Sequence, residues 1–354
     1  MRTHLAAALA RPRILTALLV VTGLVLAAAA MTGVLLARRG MTSRDTVVLG
    51  VYAAPGQKGV RGARDFDRVM HQDSAVVLDF PPGDDWSQIE GQPWLLRPHS
   101  KQKEQRLEYS LPVVPHLPGT SLQACAQGDY DGHWAALGHN LVAWSLADTI
   151  VRPGWEFNGD WYAWQAGGQA AAYASCFRHV VDSMRAVPGQ HFAYDWNVNV
   201  GPSPMDATAA WPGRNYVDYV GVDAYDMSTT RYHAGETPSA IQQRQAVTEL
   251  LDGRWGMRFW ADFAARHGRP LAIPEWGLTW RADGHGGGDN AVYVRAMFRF
   301  FDDPANHVAY VCYFNSGDST VDHRLTGHTR FGSAQAAYAQ QVTSQTEDAE
   351  AGGS

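Results

Sequence analysis

From residue 46 onward the chain alternates between two patterns. Short runs rich in β-branched and aromatic residues recur at "TVVLGVYA" (46–53), "SAVVLDF" (74–80), "RLEYSLPVVP" (106–115), "DTIVRPGWEF" (148–157), "HFAYDWNVN" (191–199), "YVDYVGVDAY" (216–225), "PLAIPEWGL" (270–278) and "HVAYVCYFNS" (307–316). Several are apolar nearly throughout, as parallel strands buried on both faces are. Between many of them apolar residues return every three or four positions: Trp134, Leu137, Leu141 and Trp144 before the fourth run, Tyr173, Phe177, Val180, Val181 and Met184 after it. That spacing predicts helices with one buried face. "FAARHG" predicts a helix ending before the seventh run, with Gly268 as its stop and Pro270 beyond. Eight strands alternating with helices predict an α/β fold of the (β/α)8 TIM barrel type, one domain over residues 45–340. Residues 81–105 read mostly as polar loop, and the segment 341–354, which contains "TSQTEDAEAGGS", reads as a disordered tail.

The N-terminus follows another logic. Arg2, Arg11 and Arg13 precede an apolar run from Ile14 to Leu36, closed by Arg38 and Arg39. The run exceeds the ~7–15 residue apolar core of a cleaved signal peptide and is long enough to cross a bilayer as a helix. Residues 1–44 are therefore expected to be an uncleaved signal anchor, the rival being a signal peptide cut near "LAAAAM". Either way the barrel is expected outside the cell, anchored to the cytoplasmic membrane or secreted. In such an exported domain Cys125 and Cys176 are the pair available for a disulfide, although sequence does not establish the pairing. Cys312 would then remain in a strand.

At 354 residues and 45% hydrophobic composition the chain can bury a large core, and its formal charge of -6 argues against a nucleic-acid partner. Thirteen Trp and fourteen Tyr supply flat rings that suit sugar faces as well as a core. No cysteine, histidine or acidic spacing implies a metal or cofactor. "GDYDGH" lacks the later ligands of a calcium loop, and there is no G-x-S-x-G elbow. The oligomeric state is not legible.

Barrel enzymes keep their chemistry at the C-terminal ends of the strands. Glu156 is expected to close the fourth strand, Asn197 and Asn199 the fifth, Asp223 and Tyr225 the sixth, and Glu275 the seventh. Two carboxyl groups at one barrel mouth, flanked by aromatic rings, are what glycosidic bond cleavage requires. Glu156, between Trp155 and Phe157, stands where desolvation raises a carboxyl pKa toward the acid's role.

"RPGWEFNGDWYAW" (152–164) together with "IPEWG" (273–277) resembles glycoside hydrolase family 26, the β-mannanase-like family of clan A. The resemblance runs in order over about residues 46–340. It implies a retaining double displacement with Glu156 as acid/base and Glu275 as nucleophile, Trp161 bordering the cleaved sugar and Tyr225 positioning the nucleophile. Two departures bear on the sugar: Trp155 stands where family mannanases usually carry His, and "YFNS" replaces the Trp-Arg pair seen on the eighth strand of some of them. Trp155 is then either packing or a substrate contact replacing that histidine. Trp164, Trp196 and Trp276 are candidates for stacking on sugar or for the core, and Asn158 is a further polar candidate for substrate. Arg152, as a counter-charge to the nucleophile, and Asn197 are candidates for support. The function expected is a retaining endo-β-glycosidase acting on a β-linked polysaccharide, β-1,4-mannan first and β-glucan or β-xylan next. The rival of a different class is a barrel that binds polysaccharide without cleaving it, in an export or assembly system.

Overall fold

The computed structural model describes residues 47–352, and in it eight parallel strands close into a barrel in chain order. They are β1 (Val48–Tyr52), β2 (Val76–Asp79), β3 (Arg106–Leu111), β4 (Ile150–Pro153), β5 (Ala193–Asn199), β6 (Tyr219–Tyr225), β7 (Leu271–Gly277) and β8 (Val308–Phe314). Each lies within one of the eight apolar runs. β8 pairs with β1 from Tyr310 opposite Val48 to Phe314 opposite Tyr52, which closes the ring. The expected N-terminal anchor or signal lies outside the described residues, and among those described no helix is long and apolar enough to cross a membrane.

Around the barrel lie α1 (Gly56–Met70), α2 (Asp131–Ala143), α3 (Ala170–Arg185), α4 (Ala240–Asp252), α5 (Met257–Arg266), α6 (Ala291–Phe301) and α7 (Gly332–Gly352). The apolar face read on α3 is buried from Tyr173 to Met184. Gly268, at φ 62, ends α5 where a side chain would be strained. Cys125 and Cys176 form a disulfide from the short helix Leu122–Ala126 to α3, and Cys312 is buried on β8.

Two expectations are corrected. Residues 81–105 hold the one-turn helices Trp86–Ile89 and Pro93–Leu96 and the 3-10 turn His99–Lys101, which bury Ile89, Leu95 and Leu96 under the loop. The segment from 341 is not a disordered tail: α7 continues through it to Gly352. Ala334, Ala337, Tyr338 and Val342 anchor this helix at helical spacing, and the Gln, Glu and Ala that follow favour its continuation.

The barrel interior is polar for a core. Glu108, Arg152, Asp195 and Asp223 are all fully buried. Room for Asp195 depends on a small neighbour: a Cβ at Gly221 would lie 2.3 Å from Asp195 Oδ1. Burial pushes Glu108 up to about 8 and Asp195 up to about 7. A single guanidinium, Arg152, stands among these acids.

Candidate active site

Glu156 does not close β4. The strand ends at Pro153, the chain turns through Gly154 at φ 57, and Glu156 follows at φ 50, in the left-handed region. For a residue with a side chain that conformation costs ~1–2 kcal/mol, so neighbours must hold it. The Glu156 N–H donates to Asn197 on β5, at 3.2 Å to its carbonyl and 3.1 Å to its Oδ1. Asn158 then clips the same strand, its Nδ2 donating to the Asn199 carbonyl at 2.9 Å and its Oδ1 accepting from the Asn199 N–H at 2.8 Å. Both amide ends of Asn158 are thus engaged with backbone, so it positions Asn199 rather than facing a ligand.

That positioning matters because Asn199 Nδ2 donates to Glu156 Oε1 at 2.6 Å, while Trp161 Nε1 donates to Oε2 at 3.0 Å. The carboxyl is nonetheless pushed up to about 7. Burial is the largest cause and the nearby charge of Glu275 the second; the hydrogen bonds from Asn199 and Trp161 and the charge of Arg152 pull the other way.

Glu275, on β7, has a different setting. Arg152 Nη2 donates to its Oε1 at 2.5 Å and Tyr225 Oη to its Oε2 at 2.6 Å. Arg152 is fixed in turn: Nη1 reaches both Asp223 oxygens at 3.1 Å, and Nε and Nη2 reach Ser110 Oγ at 3.0 and 2.7 Å. Asn197 Nδ2 completes the ring by donating to Asp223 Oδ1 at 2.8 Å. Burial opposes the charge of Arg152, and Asp223, Glu275, Glu108 and Asp195 together outweigh it, holding its pKa well above the usual value. One carboxyl is thus poised near neutrality while the other sits between a cation and a phenol that both donate to it.

The tryptophans divide. Trp161 is 54% exposed, on the wall of the cleft, and Gly159 makes its seat, since a Cβ there would lie 2.3 Å from the indole. Trp155 is 6% exposed, wedged between Phe80, Tyr162 and Trp164, with Nε1 donating to Tyr162 Oη at 2.9 Å. Trp164 is buried beneath it, stacked on Tyr162 and donating to the Trp155 carbonyl. Trp196 and Trp276 are fully buried among rings of the surrounding helices: Trp260 and Phe263 of α5 against Trp196, Phe298 and Phe301 of α6 against Trp276. The expected sugar contacts at Trp164, Trp196 and Trp276 are therefore corrected, because no ring face of theirs is free. Trp155→Ala is expected to cost ~3–5 kcal/mol of stability, the range for a large buried aromatic. Trp161→Ala should change stability by about 0.5 kcal/mol or less but lower kcat/KM roughly tenfold, the scale of one lost aromatic contact. Urea unfolding and steady-state kinetics separate the two, and equal stability losses would overturn the distinction.

His323 was not read from the sequence. It lies nine residues beyond β8, buried, with its ring 4.7 Å from that of Tyr225. Its Nδ1 stands 2.7 Å from the Leu278 carbonyl, which only accepts, so the proton sits on Nδ1 and Nε2 is left as an acceptor. Burial lowers its pKa, which keeps the ring neutral. Asn199 was within reach of sequence reasoning, since it shares the face of Asn197 at a spacing of two. A cleft of about 770 Å3 is lined by Glu156, Trp161, Asn199, Tyr225, Met227, Ser228, Glu249, Arg254, Arg281 and His285, among others.

Residues 144–264 match the model of glycosyl hydrolase family 26, a stretch that holds Glu156, Trp161, Asn199 and Tyr225 and stops before Glu275. The chain is similar to "Endoglucanase H" of Acetivibrio thermocellus, 26% identical over 201 residues, which are 54% of this chain and 20% of that protein. It is also similar to "Mannan endo-1,4-beta-mannosidase" of Bifidobacterium adolescentis, 30% identical over 139 residues, 38% of this chain and 13% of that protein. It therefore spans a fifth or less of the length of these curated relatives. Among solved structures the fold is similar to an endo-β-1,4-mannanase double mutant of Cellulomonas fimi, with TM-score 0.62, 18% identity, and 85% of this chain and 72% of that one covered. It is similar too to a family 26 β-mannanase of Bacteroides ovatus, with TM-score 0.56, 14% identity, and 86% and 90% covered. The family 26 resemblance read from the two glutamate motifs is borne out.

Proposed function

We propose that this chain is a retaining endo-β-glycosidase that hydrolyses a β-linked polysaccharide, β-1,4-mannan first, with Glu275 as nucleophile and Glu156 as acid/base. The observation that carries this reading is the contrast between the two carboxyl groups at one barrel mouth. Glu275, held by Arg152 and Tyr225, attacks the anomeric carbon while Glu156 gives its proton to the departing glycosidic oxygen. The covalent intermediate no longer carries the charge of Glu275. That charge is one of the two causes that raise Glu156, so its pKa falls and the carboxylate takes a proton from the attacking water. Water's oxygen forms the new bond to the anomeric carbon and Glu275 departs, leaving the configuration retained.

Support for mannan comes from the family match and from the mannosidase relative; the endoglucanase relative, with Trp155 in place of His, favours β-glucan as the second reading. Release of reducing ends from mannan, β-glucans and xylan, with the anomer of the first product followed by NMR, tests the proposal. An α-anomer released first, or no release from any of them, overturns it.

A pH dependence follows from Glu156. Only its protonated form serves as the acid, so kcat/KM should fall as pH rises past about 7. Asn199 and Trp161 both stabilise the charged form, so Asn199→Ala and Trp161→Phe should move that alkaline limb to higher pH. A limb that stays in place in both variants would show that it belongs to another group.

We also propose that the barrel works outside the cytoplasmic membrane, held by residues 14–36. The apolar run supports this, as does the Cys125–Cys176 disulfide, a bond that persists in oxidising compartments. A mature N-terminus between Ala27 and Thr32 would mean release instead.

A further inference from the structure

Arg254 stands in the turn between α4 and α5, on the wall of the cleft that Glu156 also lines. Its guanidinium lies over the Trp255 ring, 4.0 Å from the centroid, and among the described residues it makes no hydrogen bond or ion pair. Glu249, Arg281 and His285, which also line this cleft, have partners. Glu249 is paired with Arg231, with Nε to Oε1 at 2.7 Å; Arg281 is paired with Asp283 at 2.6 Å, and the same Asp283 lies 3.5 Å from His285. Among the described residues, Arg254 is therefore the arginine on this cleft that has no carboxylate partner, and apart from the Glu156 carboxyl of the candidate site it is the charged group there left unmatched.

Its support is built into the fold. Trp255 takes the left-handed backbone, at φ 52, and its carbonyl accepts from the Gly201 N–H at 2.9 Å and from Trp260 Nε1 at 3.0 Å. Gly201 is two residues beyond Asn199, which holds the Glu156 carboxyl, and two residues of chain span at most about 7 Å. One short piece of chain thus fixes both the acid and the platform on which the cation rests. A guanidinium already laid on an aromatic face loses less freedom when it binds, and its planar fork matches a carboxylate in two parallel hydrogen bonds.

We propose that the cleft takes a β-linked polysaccharide bearing carboxylate groups, and that Arg254 binds the carboxylate of a sugar lying in it. The inference rests on the reading of this cleft as a glycan site and narrows its substrate class from neutral to anionic.

The test uses the full chain and a matched pair of polymers: β-1,4-mannan, and the same mannan with part of its C6 hydroxymethyl groups oxidised to carboxylates. Two quantities are compared, the ratio of kcat/KM for oxidised over neutral polymer, and retardation of the protein in native gels containing each polymer, which needs no cleavage. The wild-type protein should favour the oxidised polymer about tenfold, the scale of a charge-assisted pair at a solvated site. Arg254→Gln should bring that ratio close to one and Arg254→Lys should leave it in between. Raising the salt to about 0.15 M should narrow the wild-type preference. A preference for the oxidised polymer that is the same in wild type and Arg254→Gln, in the kcat/KM ratio or, where nothing is cleaved, in retardation, overturns the proposal. Retardation on oxidised mannan that depends on Arg254, with neither polymer cleaved, upholds the anionic site and defeats the hydrolase reading.

Discussion

Glu275→Ala is expected to abolish turnover on every glycan, by a factor on the order of 10^5 or more, as removal of a covalent nucleophile does elsewhere. The variant keeps Arg152 and Tyr225 and loses the group they orient, leaving a gap beside the anomeric carbon. A small anion such as azide can occupy that gap, so slow turnover should return in its presence and give a glycosyl azide of inverted configuration. Glu156→Ala should behave differently. Loss of the acid costs ~10^2–10^4 where the leaving group needs a proton and far less for the first step of an activated aryl glycoside, which departs unaided. Azide should rescue this variant with retention, because Glu275 still forms the intermediate. Equal losses for both variants on polysaccharide and aryl glycoside alike would sink the separate roles.

The barrel was legible because its strands are buried on both faces, which leaves unbroken apolar runs with little else to be. The one-turn helices at 86–89 and 93–96 were not, since four residues are too few to show a helical period and their apolar members sit in a polar stretch. α7 was hidden by composition: an acidic, alanine-rich segment suits a disordered tail and a helix equally, and burial of Tyr338 and Val342 decides between them. In the site, the two glutamates and Arg152 were found from strand order. The turn at Glu156 was signalled by Pro153-Gly154, which marks the end of a strand more firmly than the aromatic residues after it mark a continuation. The tryptophans could not be sorted: Trp161 lies in the loop after β4, where the turn decides which way its ring faces, and Trp196 lies on β5, where the helix rings that cover it come from distant sequence. His323 reaches the site by a return of the chain after β8, and no local pattern announces it.

The loss of Arg152 should be felt in the fold as well as in the site. Arg152→Ala removes the one cation among Glu275, Asp223 and Glu108, and breaking a buried pair in this way costs ~3–5 kcal/mol because the partners stay buried without it. Arg152→Lys should recover only part of this, since one ammonium cannot reach Ser110, Asp223 and Glu275 together in the geometry of the fork. The sign of the pH dependence separates this account from simple loss of packing. Glu108 near 8, Asp195 near 7 and Glu156 near 7 have folded values above their unfolded ones. Such groups contribute stability that is fully present below the unfolded pKa and lost as pH rises through the folded one, so the wild-type protein should lose stability between about pH 5 and pH 8. The positive charge of Arg152 lowers the pKa of Glu108 and of Glu156, and without it both rise further. The deficit of Arg152→Ala should therefore be larger at pH 8, where these carboxyl groups are driven to ionise in the interior, than at pH 5, where they can remain protonated. Denaturant unfolding of wild type and variant at the two pH values measures it, and a deficit that does not change with pH would show that Arg152 serves the barrel as volume and not as charge.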